Sequence, residues 1–323
     1  MRLRLATFNL ESFGGDGHAH VPLDERIRAL RPKLERLEAD VLCLQEVDAE
    51  RPDTRPRAFH ALGALLDGTA YASFERVATH HDGGGPFDVH NLVVLSRFPV
   101  RAQAQHRNDA VRPLRSQLVH GVAPADELRI EWDRPALEVC VELPDGRLLT
   151  VFDVHLRAPL ASAIPGQKLG PFAWRSTSGW AEGYFVAAVK RAGQALELRL
   201  RVDRLLDDDP DALVVVAGDL NAAPHESATR ILRASDDDTG NPLLRRRRLT
   251  SLLEGIEPAR RFSSRYQGRA SLPDQLLATE PLARGLVSAT IFNEDLEDAW
   301  ELQQRSGHVA GSLHAAVVAE LDV

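Results

Sequence analysis

Short apolar runs and longer amphipathic segments alternate along the chain. Residues 2–10 alternate between apolar and polar positions, the pattern of a β-strand with one buried face. Apolar residues recur at every third or fourth position of residues 24–39, which predicts a helix with Asp24 as its cap. Residues 136–156 contain two apolar runs around Pro-Asp-Gly, the signal of a β-hairpin. The pattern therefore predicts an α/β protein.

A long helix is predicted over residues 184–207. The acidic run 207–211 should lie beyond it as a solvated turn, because negative charge is unfavourable at a helix C-terminus. Hairpins mixed with βα units favour mixed sheets within one domain over residues 1–323. The buried face of the long helix should carry Phe185, Val189, Ala192 and Leu196. The same criteria predict strands at 40–47, 91–100, 214–221, 274–279 and 314–321, and helices at 58–66 and 227–234.

Composition narrows the class of protein. The 323 residues are 44% hydrophobic with a formal net charge of -8, so nucleic acid would need a local basic patch. Cys43 and Cys140 lie in apolar runs and are predicted to be buried thiols rather than a disulfide. The N-terminus shows no apolar leader, and no segment is long enough to span a bilayer. We expect a cytoplasmic protein, and a monomer.

Polar side chains recur at the ends of the predicted strands. Buried strands that bring polar groups to one edge of a sheet form a rigid site. Such ends carry Asn9 with Glu11, Gln45 with Glu46, Asp153 with His155, and Asp219 with Asn221, while Asp274 and His314 stand where late strands begin.

The first of these ends offer hard oxygen ligands. Glu46 with Asn9, and with Glu11 as a further candidate, would suit Mg²⁺ or Mn²⁺, which keep several waters and bind substrate phosphate. Cysteine and histidine are not spaced for zinc. The ligand types therefore favour a magnesium or manganese site.

The later strand ends offer proton-transfer and hydrogen-bonding groups. Asp219 and Asn221 provide a base for water and a donor for a developing anion. His155 and His314 could donate hydrogen bonds to phosphate oxygens, and a carboxylate behind a histidine would keep it cationic. Together the groups indicate metal-assisted hydrolysis of a phosphate ester.

Seven segments in a fixed order carry these residues: ATFNLES, DVLCLQEV, LVVLSRFPV, LTVFDVHL, VVVAGDLNAAP, PDQLLAT and SLHAAVVAEL. In this order the chain resembles the endonuclease/exonuclease/phosphatase superfamily, which has the deoxyribonuclease I-like fold. The resemblance spans nearly the whole chain. Its most specific part is the Gly-Asp-Leu-Asn piece combined with the Leu-Gln-Glu piece.

The resemblance implies a four-layer α/β sandwich, in which two mixed β-sheets pack face to face with helices on the outside. It implies a metal-dependent phosphoric ester hydrolase with its site at one end of the sheets. By position, Asn9 and Glu46 would hold the metal region, with Glu11 nearby. The catalytic residues would be His155 at the scissile phosphate, Asp219 on the attacking water with Asn221 beside it, and His314, oriented by Asp274, at the transition state.

One position departs from the family pattern. The family has Ser-Asp-His before its last strand, and that Asp assists the metal, but here Leu313 takes its place. Leucine cannot ligate a cation, so metal binding should weaken unless another acid such as Glu11 compensates. Alternatively, His308 rather than His314 belongs to the site. We favour His314, because an apolar run follows it directly.

Three further features attract attention. The arginine run 245–248 could grip phosphates but is predicted to be a solvated loop. The glycine-rich segment 80–90, with three histidines (His80, His81 and His90), could hold a second metal, although a mobile loop is the simpler interpretation. The aromatic-rich segment 170–185 should lie beside the site, where a base, a sugar or a lipid could stack on Phe172, Trp174 and Trp180.

Three functions fit these patterns. The favoured one is a phosphodiesterase or nuclease, endo- or exo-acting, that takes a phosphate ester as substrate, with nucleic acid among the candidates. The second is a phosphomonoesterase or lipid phosphodiesterase of the same fold. The third is a binding module whose metal site is impaired at Leu313. Because the other predicted site residues are all present, we favour an active enzyme.

Overall fold

Two six-stranded β-sheets form the centre of the molecule, and each contains parallel and antiparallel pairs. The computed structural model describes residues 1–15, 21–51, 56–120, 127–305 and 308–323. In spatial order the first sheet holds β15 (Leu286–Ile291), β16 (Val317–Asp322), β1 (Arg2–Phe13), β2 (Val41–Val47), β4 (Asn91–Ser96) and β3 (Glu75–Ala78). The second holds β11 (Leu249–Ser251), β14 (Asp274–Thr279), β10 (Leu213–Asp219), β9 (Leu148–His155), β8 (Ala136–Glu142) and β5 (Val100–His106).

Helices cover the outer faces of the two large sheets. Two short hairpins lie outside these sheets. The hairpins are β6 (Leu114–Gln117) with β7 (Glu127–Ile130), and β12 (Ser264–Tyr266) with β13 (Arg269–Ser271). The helices are α1 (Leu23–Leu37), α2 (His60–Leu66), α3 (Thr177–Asp208), α4 (Ser227–Arg233), α5 (Asp236–Thr239), α6 (Glu280–Ala283) and α7 (Ala299–Arg305).

Alternation along the strands separates the hydrophobic cores. Leu3 and Leu5 of β1 face the second sheet, whereas Ala6 and Phe8 face the helices α1 and α2. On the far side, residues of β9 and β10 such as Val216 pack against α3 and α4. The predicted four-layer sandwich of two mixed sheets with outer helices is confirmed.

Some element boundaries differ from those predicted. The run 91–100 is two strands, because β4 ends at Ser96 and β5 begins only after Pro99. Asp24 does not cap α1; it lies in the first turn and pairs with Arg28, at 2.8 Å. The last strand begins at Val317 rather than at 314.

Helix α3 is longer than predicted and buries a different face. It begins at Thr177, where the Ser176 side chain accepts the Gly179 N–H at 3.0 Å, and it continues through Asp207 to Asp208. The predicted buried face is wrong, since Phe185 is 60% exposed and Leu196 is 41% exposed.

The buried face of α3 includes polar residues whose partners the sequence pattern could not reveal. The Glu197 carboxylate accepts the Trp132 indole N–H at 2.5 Å, and the Gln194 side chain accepts the Arg157 backbone N–H at 2.8 Å. Polar groups bonded in this way can be buried at a helix–sheet interface. Hydrophobic spacing therefore identified the helix but not its inner face.

The predictions on cysteine and membrane spans have clear outcomes. Cys43 and Cys140 are both free thiols, the first buried and the second partly buried. Among the described helices, none combines the length and the apolar character that crossing a bilayer requires.

Candidate functional site

The polar strand ends meet at one end of the two sheets. Asn9 pairs with Gln45 in the first sheet, and Asp219 of the second pairs with His155 on one side and Asp274 on the other. Asn9 joins the sheets, because its side-chain N–H donates to Asp219 Oδ2 at 3.1 Å. The structure thus brings together strand ends that are distant in the sequence.

A left-handed backbone conformation turns Glu46 toward the second sheet. Leu42 and Leu44 of the same strand face the helices, and strict alternation would place Glu46 with them. The φ angle of 57° at Glu46 breaks this alternation, and the pairing of β2 with β4 shifts register there. As a result Glu46 Oε1 lies 3.1 Å from the donating Nδ2 of Asn9.

Positive φ angles recur around the site. They occur at Glu11 (57°), Ser12 (47°), His90 (57°) and Asn221 (48°) as well as at Glu46. Such conformations cost a non-glycine residue on the order of 1–3 kcal/mol and cluster at functional sites. Hydrogen bonds at Ser12 offset part of this cost, because its N–H and its hydroxyl both donate to Glu46 Oε2, at 2.9 and 3.1 Å.

Glu46 is held as a carboxylate. Two imidazoles lie beside it, His90 with Nδ1 3.5 Å from Oε2 and His155 with Nε2 3.7 Å from Oε1. Burial alone would raise the pKa of Glu46, but the neighbouring His90 imidazole and the hydrogen bond from Asn9 hold that pKa well below its ordinary value. A negative charge at this position is therefore stable at neutral pH.

His155 is buried and carries Arg134 behind it. Burial and the positive charge of Arg134 lower the pKa of His155 well below its ordinary value. Arg134 Nη1 donates to His155 Nδ1, so the neutral ring carries its proton on Nε2, which lies 3.5 Å from Asp219 Oδ2. His155 thus has an arginine rather than a carboxylate behind it.

His314 has the opposite environment. Its Nδ1 lies 2.8 Å from Asp274 Oδ2, and that oxygen also accepts the Ser263 hydroxyl at 2.7 Å. Burial would lower the pKa of His314, but Asp274 and Asp219 outweigh it and raise that pKa well above its ordinary value. The site therefore holds one neutral and one cationic imidazole.

Asp219 lies between them at the end of β10. Burial raises its pKa to about 7, although the N–H of Asn221 donates to Oδ1 at 2.8 Å. Gly218 allows this position, because a Cβ there would lie 2.0 Å from the Val154 carbonyl oxygen and φ is 138°. A carboxylate with a pKa near 7 is suited to accepting a proton.

Glu11 lies beside Leu313, the position at which the resemblance leads one to expect an acid. Its carboxylate accepts the backbone N–H of Leu313 and lies near His314 and Glu46, while burial raises its pKa. His308 is exposed, whereas His314 is bonded within the cluster. These contacts favour His314 over His308, and Glu11 as the compensating acid.

The oxygen donors fit a hard divalent cation. Glu46 and Glu11 present carboxylates, and the described residues include two acid–histidine groups compact enough for an ion. Asn9, predicted as a ligand, uses its Oδ1 to accept the Glu11 backbone N–H at 2.9 Å and its Nδ2 to donate to Glu46 Oε1, so in this arrangement it positions the Glu46 carboxylate and the Glu11 backbone. The two groups are Glu46–His155–Asp219 and Asp219–Asp274–His314.

Sequence reasoning missed Arg134 and treated His90 as part of a mobile loop. A signal existed, since both stand at strand starts: His90 directly precedes β4, and Arg134 precedes β8 by one intervening residue. In an antiparallel pair the start of one strand lies beside the end of its neighbour. The Asn91 side chain fixes the loop before His90, because it accepts the Phe87 backbone N–H at 2.9 Å and donates to the Phe87 carbonyl at 2.9 Å.

Two other motifs take no part in the site. His80 and His81 are exposed. The arginine run 245–248 overlaps a short 3₁₀ helix, Pro242–Arg247, rather than forming a simple loop. Its arginines face acids: Arg245 and Arg248 pair with Asp236, and Arg247 pairs with Asp203 and Asp207.

A buried polar network supports the site from below. Gln45 Nε2 donates to Asp153 Oδ1 at 2.6 Å and to Thr7 Oγ1 at 3.0 Å. Asp153 is fully buried, and burial raises its pKa well above its ordinary value. Burial therefore favours the protonated form of this carboxyl in the folded protein.

Asp153→Asn should flatten the pH dependence of folding in the metal-free protein. The unfolded carboxyl has a pKa of about 3.9, so between there and the raised folded pKa the folded state binds the extra proton. Stability from this group is complete below about pH 4 and falls as the pH rises. Urea unfolding in chelator between about pH 4 and pH 8 should show a smaller decline for the variant. Equal declines would mean that folded Asp153 is ionised.

Several solved structures share the fold along the full chain. An AP endonuclease from Archaeoglobus fulgidus aligns with a TM-score of 0.56 at 17% identity, covering 99% of this chain and 100% of that one. Truncated Caenorhabditis elegans TDP2 gives 0.59 at 14% identity, covering 100% and 98%. The human nocturnin catalytic domain with bound sulfate gives 0.56 at 16% identity, covering 99% and 94%. At these identities the likeness shows the fold alone.

The sequence family is clear. No curated protein sequence matches the chain. The model of the Endonuclease/Exonuclease/phosphatase family matches residues 6–295, which include every predicted site residue except His314. The name of this family describes hydrolases of phosphoric esters. Because this match covers most of the chain, the protein belongs to the Endonuclease/Exonuclease/phosphatase family.

Proposed function

We propose that the protein is a metal-dependent phosphodiesterase. The observation that carries this proposal is the Asn9 amide, which donates at 3.1 Å to Glu46 on one sheet and at 3.1 Å to Asp219 on the other. The two carboxylates it joins have opposite environments, one held ionised and the other with a pKa near 7. Carboxylates tuned apart in this way suit separate charge-binding and proton-accepting roles.

Glu46, with Glu11 and Asn9 beside it, would hold the divalent cation. Mg²⁺ or Mn²⁺ is expected, because the available donors are hard oxygens. When bound, the cation would neutralise charge on the phosphoryl oxygens. Glu46 itself is fixed by the N–H and hydroxyl of Ser12, so its carboxylate enters the reaction already oriented.

Asp219 would accept the proton of the attacking water. Its Oδ1 is held by the Asn221 N–H at 2.8 Å, and its Oδ2 is contacted by Asn9 and, at 3.3 Å, by Asn221 Nδ2. These contacts leave the carboxylate little freedom to rotate. A fixed base close to its working pKa is the arrangement that general-base catalysis requires.

His155, His314 and Arg134 would act on the phosphoryl group. The neutral His155 offers an N–H from Nε2, and the cationic His314, oriented by Asp274, offers a charged donor. Arg134, which is partly buried, adds a second positive charge directly behind His155. Donors fixed before the reaction stabilise the charge that develops in a phosphoryl-transfer transition state.

A panel of substrates with Mg²⁺ or Mn²⁺ tests the proposal. Bis(p-nitrophenyl) phosphate should be hydrolysed faster than p-nitrophenyl phosphate, and chelator should abolish both activities. The rates of hydrolysis of plasmid, single-stranded DNA, RNA and sphingomyelin would then identify the class of natural diester. Faster hydrolysis of the monoester would instead identify a phosphomonoesterase.

Leu313→Asp should lower the Mg²⁺ concentration needed for half-maximal activity. The new acid would stand beside Glu11, which already contacts the Leu313 backbone, and it would add one negative charge and two oxygens for a hard cation. The metal-free variant should melt at a lower temperature, because its carboxylates repel one another. Leu313→Asn, which has the same shape without the charge, is the control. An unchanged Mg²⁺ requirement would show that Glu11 already supplies the charge.

A further inference from the structure

Large apolar side chains are exposed in the segment that follows strand β9. Phe172 is 94% exposed, the highest value among the exposed large hydrophobic residues described. Soluble surfaces rarely gather such groups without a binding role. We refer to residues 160–185 as the apolar ledge, and its exposed members are Leu160, Leu169, Phe172, Trp180, Tyr184 and Phe185.

The apolar ledge is a built surface. Its loop packs on the first turns of α3, where the Ser162 N–H donates to the Gly183 carbonyl at 2.9 Å. Gly183 permits this approach, since a Cβ there would lie 2.3 Å from the Ser162 carbonyl oxygen. Within the loop, Lys168 Nζ lies 4.4 Å from the centre of the Trp174 ring. The loop therefore holds its apolar tip, residues 169–172, away from the protein core.

The charge around the apolar ledge differs from that of the whole protein. Residues 154–185 contain Arg157, Lys168 and Arg175 and one acid, Glu182, which pairs with His120 at 2.9 Å, although the chain has a net charge of -8. Exposed apolar groups with a basic surround are the composition of surfaces that bind anionic membranes.

The apolar ledge is linked to the site through Arg157, whose Nη2 donates to the Leu160 carbonyl at 3.1 Å. Arg157 follows His155 by two residues, and its guanidinium pairs with Asp133 at 3.2 Å. Asp133 is adjacent in sequence to Arg134, which donates to His155. A surface docked on the apolar ledge would therefore lie next to the phosphoryl-binding groups.

We propose that the apolar ledge docks the protein on an anionic lipid surface. Docking would bring the site to phosphodiesters of lipid headgroups, and this second part of the proposal rests on the proposed function. The aliphatic members favour lipid over single-stranded nucleic acid. Leu160 and Leu169 are 66% and 62% exposed, and a leucine offers a base no ring on which to stack. In a bilayer interface leucine and phenylalanine are buried, while tryptophan, tyrosine and lysine lie at the headgroups.

Vesicle flotation of the full chain in chelator tests the docking. The protein should float with phosphatidylcholine vesicles that contain phosphatidylglycerol, and more weakly with phosphatidylcholine alone or in high salt. Leu169→Ser combined with Phe172→Ser should weaken binding about tenfold or more, given the apolar area withdrawn from the interface. Leu243→Ser is the matched control, because Leu243 is 90% exposed outside the apolar ledge.

The outcomes separate this proposal from the proposed function. Absence of vesicle binding, or equal binding by the double variant, would overturn the docking. Loss of single-stranded oligonucleotide binding in the double variant, without vesicle binding, would assign the apolar ledge to nucleic acid and also overturn it. Hydrolysis of soluble bis(p-nitrophenyl) phosphate should be unchanged in the double variant. If the wild type fails on that ester but floats with vesicles, the proposed function fails and the docking stands.

Discussion

Glu46→Gln should abolish metal-dependent hydrolysis while the protein remains folded. The substitution keeps the shape of the side chain but removes the negative charge that Ser12, Asn9 and His90 hold in place. A catalytic cation supplies several kcal/mol, so the loss at limiting Mg²⁺ should be about a hundredfold or more. Initial rates across a Mg²⁺ titration measure it.

Glu320→Gln is the matched control for this variant. Glu320 also lies in the first sheet, but it pairs with Arg2 and Arg4 at the opposite end of β1. It should keep the parental rate and Mg²⁺ requirement. Parental activity of Glu46→Gln at limiting Mg²⁺ would remove Glu46 from the metal site.

Strand-end reasoning succeeded because strand ends are local in sequence. Asn9, His155 and Asp219 each follow an apolar run, and such runs pair into a sheet whatever lies between them. Once the strands pair, their last residues share one edge. The convergence could therefore be predicted without the long segments that separate these residues.

The orientation of Glu46 could not be predicted in the same way. Period-two alternation assigns it to the helix-facing side with Leu44, and only its positive φ moves it into the site. That conformation is stabilised by tertiary contacts from Ser12 and Asn9. Alternation along a strand does not take such tertiary contacts into account. The sequence therefore identifies Glu46 as a site residue but does not predict the orientation of its side chain.

The prediction of the buried face of α3 is wrong for a related reason. Apolar residues at helical spacing, including Phe185 and Leu196, predict that this face of the helix is buried. The structure instead buries Arg191 and Glu197. The Arg191 guanidinium donates to the Arg157 backbone carbonyl, and the Glu197 carboxylate accepts the Ala110 backbone N–H and the Trp132 indole N–H. The apolar face remains partly exposed, beginning at the apolar ledge.

Asp219→Asn should reduce kcat about a hundredfold or more, the range expected for loss of a general base. KM should change less, since removing the carboxylate also removes its repulsion of phosphate. The variant should also flatten the pH dependence of stability in chelator. Folded Asp219 has a pKa of about 7, so it contributes stability fully below about pH 4 and loses that contribution as the pH rises toward the folded value.

Single-turnover rates, KM and chemical unfolding in chelator together decide the role of Asp219. Asp211→Asn is the control, because Asp211 is exposed and precedes the opposite end of β10. It should change neither rate nor pH dependence. The variant Asp219→Asn could instead keep kcat and raise KM, and Asp219 would then bind substrate rather than accept a proton. A flattened stability profile with unchanged kcat would confirm its buried, protonated state and exclude it as the base, leaving Glu11 as a further candidate for the base.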